Sequence, residues 1–225
     1  MIVTVLGSGA NGGVPQWDCC CPNCSRAREN PELRRTRSSV AVSLDGGQHV
    51  LIDATPDLKF QLEGVGLTPK PEEAEHGRQS RIDTVLITHG HGDHTVGIAE
   101  FSTGKSFEIP VHGPPDLMRF LFGSDDQSSF FGDLGRLARD YVVPHDLREG
   151  ERLDLLDGLR VTGFEIDHTD GMEDGSCFPS STYGYELEAD GRRFVYTPDL
   201  GLLTEELLER VEGSDLFILD ATFWW

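Results

Sequence analysis

Thr88-His89-Gly90-His91-Gly92-Asp93-His94 sets three histidines and an aspartate within six residues. It directly follows residues 85–88, a short apolar run that reads as a β-strand. A strand end is a rigid base, and the two glycines let the turn fold tightly enough for the side chains to converge. Neutral imidazoles suit borderline divalent ions, and a carboxylate compensates their charge. His89 and His91, two residues apart, can grip one ion. Asp93 and His94 can point at a second position nearby. Two ions about 3.5–4 Å apart can share a water and lower its pKa towards ~7.

The segment resembles the HxHxDH signature of the metallo-β-lactamase superfamily, with His89, His91, Asp93 and His94 on its four ligand positions. The resemblance implies an α/β fold, the αβ/βα sandwich of two mixed sheets flanked by helices, with metals at the sheet edges. It implies His89 and His91 at the first ion and Asp93 and His94 at the second, each ion being Zn, Mn or Fe. It also implies a later histidine for the first ion and an aspartate bridging both. His168, in Phe164-Glu165-Ile166-Asp167-His168, and Asp199, in Phe194-Val195-Tyr196-Thr197-Pro198-Asp199, each follow a strand-like run and fit those places. A last histidine is implied beyond one more strand. After residues 216–220 only five residues remain, with no histidine and the aromatic ending Phe223-Trp224-Trp225. The expectation is a single domain over 1–225 that continues past this end, or else a second site left incomplete.

Upstream, Trp17-Asp18-Cys19-Cys20-Cys21-Pro22-Asn23-Cys24 holds four of the five cysteines. A disulfide framework spreads its cysteines along the chain, whereas crowding points to metal ligation in a reducing, cytoplasmic compartment. Cys19, Cys21 and Cys24 can wrap one structural zinc, with one ligand from elsewhere; reduced, unligated cysteines are the plainer alternative. Cys20 is either the fourth ligand or a bystander, and Cys177 reads as inert. The stretch from Gly7 to Trp17 with this knuckle resembles the start of the pyrroloquinoline quinone biosynthesis protein B family. It also resembles the cyclic-phosphate phosphodiesterase of the carbon–phosphorus lyase pathway. Both families carry a zinc on C-x-C-x-x-C, completed by a distant histidine not visible in this chain. The likeness is specific over residues 1–60, 82–116 and 193–202. Within 109–115 the phosphodiesterase has a tyrosine where this chain has His112. Protein B members commonly lack the first two histidines of the signature and the bridging aspartate; this chain has His89, His91 and Asp199. Its N-terminus therefore fits protein B and its chemistry a hydrolase.

Punctuation by Gly, Pro and Asp divides the rest into strands at 2–6, 39–44, 49–52, 109–112, 140–143, 159–166, 182–188, 193–196 and 216–220. Helices are expected at 57–62, 95–101, 116–122 and 204–211, the last capped by Thr204. Asp45-Gly46-Gly47 reads as a hairpin turn, residues 69–80 as a surface insertion and 124–131 as a weak stretch. No repeat or linker is visible.

Composition limits the partners. Asp and Glu number 39 against 19 Lys and Arg, a net charge of −20, and only three of the positives are Lys. This argues against a nucleic-acid-coating surface; either a salt-adapted source or a GC-rich genome accounts for it. No apolar run approaches the ~20 residues of a membrane helix, and the N-terminus lacks a basic leader. A small anionic substrate is the expected partner, and a homodimer is compatible with the sequence. Gly7-x-Gly9-x-x-Gly12 imitates a dinucleotide fingerprint, but Pro15 and the cysteines stand where the helix should begin. His112 could meet a substrate phosphate or simply end a strand. His49, His76 and His145 read as surface or packing residues. Arg34, Arg35 and Arg37 read as a solvated cluster or an anion-steering patch.

The reading is a metal-dependent hydrolase, a phosphodiesterase on small cyclic organic phosphates, in which metal-bound hydroxide attacks phosphorus and Asp93 is the catalytic carboxylate. The alternative is a protein B-like factor of quinone-cofactor synthesis using one iron or zinc. A tRNA-processing nuclease and a non-enzymatic zinc-binding module rank below both.

Overall fold

The structure, a computed structural model, describes residues 1–72, 78–102, 108–123, 141–168 and 181–219. The expectations for residues 124–131, His76, Cys177 and the terminal aromatics lie outside the described residues.

Two mixed sheets face each other. The first has six strands in sequential order: β1 (Ile2–Gly7), β2 (Ser39–Ser43), β3 (His49–Ile52), β4 (Ile82–Leu86), β5 (Ile109–Gly113) and β6 (Val142–Asp146). Its first three strands are antiparallel and β3 to β6 run parallel. The second runs β11 (Leu216–Leu219), β10 (Arg192–Thr197), β9 (Tyr183–Ala189), β8 (Leu159–Glu165) and β7 (Arg152–Leu155). Only its β10–β11 pair is parallel.

Strand periodicity explains the layers. Val40 and Val42 of β2, with Val50 and Ile52 of β3, meet Val161, Tyr185, Leu187 and Phe194 between the sheets. Ala41, Leu51, Val85 and Val111 point the other way, against Leu58, Ile98, Leu117 and Leu121. Those last residues belong to α2 (Leu58–Gly64), α4 (Ile98–Phe101) and α5 (Pro115–Phe122). On the outer face of the second sheet, Phe164 and Val195 pack on Leu207 of α6 (Glu205–Val211). A period of two thus feeds two cores at once, and β2 and β3 are buried at every position. Each fully buried Val, Leu or Phe contributes roughly 1.5–3 kcal/mol. The result is the expected α/β sandwich of two mixed sheets flanked by helices.

Local chemistry sets several boundaries. The Asp45-Gly46-Gly47 turn closes as expected: Gly46 has φ +82°, and Gly46 N and Gly47 N donate to Ser43 Oγ and Asp45 Oδ1. Thr204 Oγ1 accepts from Leu207 N and caps α6. The strand expected at 85–88 is Ile82–Leu86, so the histidine motif starts two residues past the strand. The helix expected at 95–101 is two single turns, α3 (Gly92–Thr95) and α4, joined through Val96 and Gly97. The strand at 140–143 is instead β6, shifted to Val142–Asp146. Pro144 is accommodated because β6 is the sheet's edge. Three elements were not foreseen, one of them a single 3-10 turn at Pro31–Leu33. Helix α1 (Pro22–Glu29) is polar, burying only Cys24 and Ala27, and β7 is an exposed edge strand. No helix among the described residues is long and apolar enough to cross a membrane.

Candidate metal centre

The parallel strands β4 and β5 end on the same edge of the first sheet. Beyond Leu86, Ile87 N still donates to His112 O, and then the chain turns into the histidine motif. From the second sheet, Tyr183 N donates to Thr88 O and Tyr185 Oη to Ile87 O, at 2.8 and 2.6 Å. These bonds pin the start of β9 over the motif, and the ends of β8 and β10, which flank β9, lead into His168 and Asp199.

Two donor groups result. The ligand atoms of His89, His91, His168 and Asp199 lie within 4.8 Å of one another, and so do those of Asp93, His94 and Asp199. Asp199 belongs to both: its Oδ2 stands 3.2 Å from His89 Nε2 and 3.1 Å from His94 Nε2. His89 Nε2 is 3.0 Å from His91 Nδ1, and the ring centroids of His168 and His89 are 5.0 Å apart. All six residues expected from the sequence are therefore brought together. Asp199 has φ +51°, a left-handed backbone that Asp tolerates better than most residues.

The electrostatics suit cations. Burial, reinforced by the charge of His94, pushes His89 down to about 4, so its imidazole is neutral and has a lone pair to give. At His94 burial works in the same direction, but the charge of Asp53 and the bonds to Asp199, Asp53 and Asp93 outweigh it and hold its proton well above the usual range. Burial opposes ionisation of Asp199 and Asp93. The bonds from His89 and His94 keep Asp199 far below the ordinary carboxylate range, and the bond and charge of His94 lower Asp93. Asp93 is 8% exposed, and its Oδ1 is buried with no hydrogen-bond partner among the described residues. Such an atom costs on the order of 1–3 kcal/mol unless something binds it. Nitrogen and carboxylate donors converging on a buried acceptor fit divalent ions.

One participant was missed in the sequence. Asp53, fully buried with φ +64°, follows β3 and accepts from His94 Nδ1 at 2.8 Å, Thr88 N at 2.9 Å and Thr88 Oγ1 at 3.0 Å. The available signal was a lone carboxylate directly after the apolar run Val50-Leu51-Ile52.

At the other cluster, the sulfurs of Cys19, Cys21 and Cys24 lie within 4.8 Å of one another, and Cys20 stands outside the group. Cys24 N donates to Cys21 Sγ, which caps α1, and Cys21 N donates to Cys19 Sγ. The Cys24 N–H, with the neighbouring thiols of Cys19 and Cys24, draws Cys21 down to about 7, and a thiolate is what a zinc needs.

The remaining candidates settle elsewhere. His112 stacks on His145 at 4.8 Å and joins neither donor group. His49 is buried packing. Arg37 bonds Asp57 and Asn11 O, Arg34 bonds Ala27 O, and Arg35 bonds Glu32 O, so these arginines tie loops together. After Gly7-x-Gly9-x-x-Gly12 the chain bridges back to Arg35 and Arg37, and the next helix begins only at Pro22. No dinucleotide site forms there.

The family profile of the β-lactamase superfamily domain matches residues 48–225. Coenzyme PQQ synthesis protein B of Methylobacterium radiotolerans is 34% identical over 231 residues, covering 99% of this chain and 73% of that protein. The chain belongs to the β-lactamase superfamily and, within it, to the PQQ synthesis protein B family. Among solved structures, Zn2+-bound PqqB from Methylobacterium extorquens matches with TM-score 0.82 and 31% identity, over 99% of this chain and 73% of that one. A diphosphatase of the PhnP family matches with TM-score 0.71 and 26% identity, over 97% and 72%. The protein B family is thus the stronger likeness along the whole chain, which reverses the order in which the sequence motifs ranked it against the phosphodiesterase. This protein B relative is a metallo-β-lactamase-fold chain that pairs the family's N-terminus with a converged His and Asp donor set.

Proposed function

We propose that this chain is a protein B-type metalloenzyme of PQQ coenzyme synthesis, working in the cytoplasm on a small anionic substrate. Its centre takes two divalent ions (Zn, Mn or Fe), and Cys19, Cys21 and Cys24 hold a structural zinc. The family relationship supports the pathway. The observation that carries the chemistry is the single oxygen, Asp199 Oδ2, shared between the His89 and His94 groups. Ions bound there supply Lewis acidity and make water nucleophilic near neutral pH. His89, His91 and His168 provide imidazole donors on one side, and Asp93 and His94 complete the other. The Asp93 carboxylate, grouped with His94 and Asp199 and with its Oδ1 buried and unengaged, is the group to orient a water or take its proton.

A second reading, hydrolysis of a small phosphate diester, has its own support: the complete HxHxDH set together with the likeness to the PhnP-family diphosphatase. A tRNA nuclease has only fold analogy and stands against the −20 charge. A bare zinc module leaves the His and Asp convergence without a purpose. The two main readings part in one experiment. Expressed in a PQQ-producing bacterium deleted for protein B, the wild-type chain restores the coenzyme and His89→Ala does not. Failure of the wild type to rescue, with bis-p-nitrophenyl phosphate hydrolysed by the purified protein and not by His89→Ala, would transfer the assignment to the phosphodiesterase.

A further inference from the structure

We propose that the lobe around the cysteine cluster is a docking surface for an acidic segment of a partner protein, built from Trp17, Arg28, Arg34 and Arg35. Charge is spread unevenly along the chain. Residues 1–40 hold five arginines against three acids, net +2, which leaves −22 for the remaining residues. Helix α1 and the loops beside it bring the arginines together. Arg28 Nη1 donates to Cys19 O at 2.6 Å and its Nη2 to Gln16 O at 2.7 Å, which seats the guanidinium against the loop that carries Trp17. Arg34 Nε donates to Ala27 O of α1 at 3.2 Å. Arg35 N donates to Val14 O, in the strand-like stretch just before Trp17. All three arginine side chains are exposed. Trp17 is 88% exposed, more than any other large apolar residue among those described.

Ion pairing marks the lobe out from the rest of the surface. Arg37, Arg160, Arg192, Arg193 and Arg210 each pair with a carboxylate. Among the described residues, Arg28, Arg34 and Arg35 pair with none; their side chains donate to backbone carbonyls, which fix the forks in place without neutralising them. A chain with 39 acids to 19 basic residues thus leaves three positioned guanidinium groups beside a bare indole. Arginine and tryptophan are the side chains that dominate protein interfaces. At physiological ionic strength charges beyond about 8 Å are largely screened, so a partner that touches the lobe meets its arginines and not the acids elsewhere. Asp18, Glu29 and Glu32 are interspersed among the arginines and disfavour a continuous phosphate backbone, which calls for an unbroken basic stripe. Carboxylates presented singly by a protein segment, with an apolar side chain for Trp17, fit the pattern.

The test is a fluorescence-anisotropy titration of a labelled glutamate-rich peptide carrying leucines, with zinc-loaded protein over a range of salt. The wild type is expected to bind it, more weakly as salt rises, and to ignore the same peptide with glutamine for every glutamate. Trp17→Ala should weaken binding about tenfold or more and keep the salt dependence. Arg34→Gln with Arg35→Gln should weaken it about tenfold and flatten the salt dependence. Because those two side chains also bond the backbone, Arg34→Lys with Arg35→Lys serves as the control: it loses the same forks, keeps the charge, and is expected to retain the salt dependence. The proposal is overturned if the peptide does not bind at ~0.05 M salt, if the glutamine peptide binds equally, or if neither Trp17→Ala nor the glutamine pair weakens binding. Tighter binding of oligothymidine, lost in the glutamine pair, would overturn it in favour of a nucleic acid. A dimer in sedimentation that the same variants dissociate, with no peptide bound, would overturn it in favour of a second copy of this chain.

Discussion

Asp93 turns Oδ2 towards His94 Nε2 at 3.5 Å and keeps Oδ1 buried and unengaged. Asp93→Asn keeps the shape and removes the charge, so turnover of bis-p-nitrophenyl phosphate by zinc-loaded protein is expected to fall by about 10²–10⁴-fold with the fold unchanged; an unaltered kcat refutes its role. His112 makes a separate prediction. Burial, with the neighbouring His145, pushes it down to about 4 from an ordinary 6.5. Between those values the unfolded chain binds the extra proton, so stability falls as pH drops from about 6.5 to 4. Denaturant unfolding of His112→Gln should show a shallower loss across that window than the wild type, and an identical slope would contradict it. His89, His91, Asp93 and His94 were legible because their spacing is local. His168 and Asp199 were legible only through the family pattern, since the fold brings them from 79 and 110 residues beyond His89. Asp53 was not legible: a single carboxylate after a strand has no pattern until the motif folds onto it.

Gly97 joins α3 to α4 where the chain crosses the Asp53–Thr55 corner. A Cβ there would stand 2.1 Å from Thr55 O and 2.8 Å from Ala54 O, both backbone atoms. Gly97 N also donates to Ala54 O. Gly97→Ala is expected to destabilise by about 1–3 kcal/mol or more and to displace His94, lowering zinc affinity in parallel. Stability within about 0.5 kcal/mol of wild type, measured by denaturant unfolding, would show that the corner is loose. Strands with strong apolar alternation were readable in the sequence, their ends less so. The ladder of β4 stops at Leu86 because Ile87 bonds back to β5 and Thr88 turns to Asp53. Helix α1 escaped notice because its sequence, PNCSRARE, has no apolar stripe. A cysteine cap, a leading proline and Arg28 bonding to Cys19 O and Gln16 O hold it in place.

At the scale of the molecule, the sandwich followed from one motif and from strands that are apolar on both faces. The layers come from β2 and β3, whose alternate residues feed separate cores. The net charge of −20 opposes compaction by self-repulsion. Raising the salt from ~0.1 to ~1 M, where the Debye length shrinks from about 10 to 3 Å, should raise the unfolding midpoint, and a flat or falling midpoint would contradict that. An anionic substrate meets this field as repulsion, so its capture depends on the cations of the site. The most direct test of the account is therefore the number of metal ions per chain. Zinc counted by mass spectrometry after loading and exhaustive dialysis should give about three per chain in the wild type and about one in a His89→Ala, His94→Ala double variant. One zinc per chain in the wild type, lost on replacing Cys21 and Cys24, would contradict a two-metal centre.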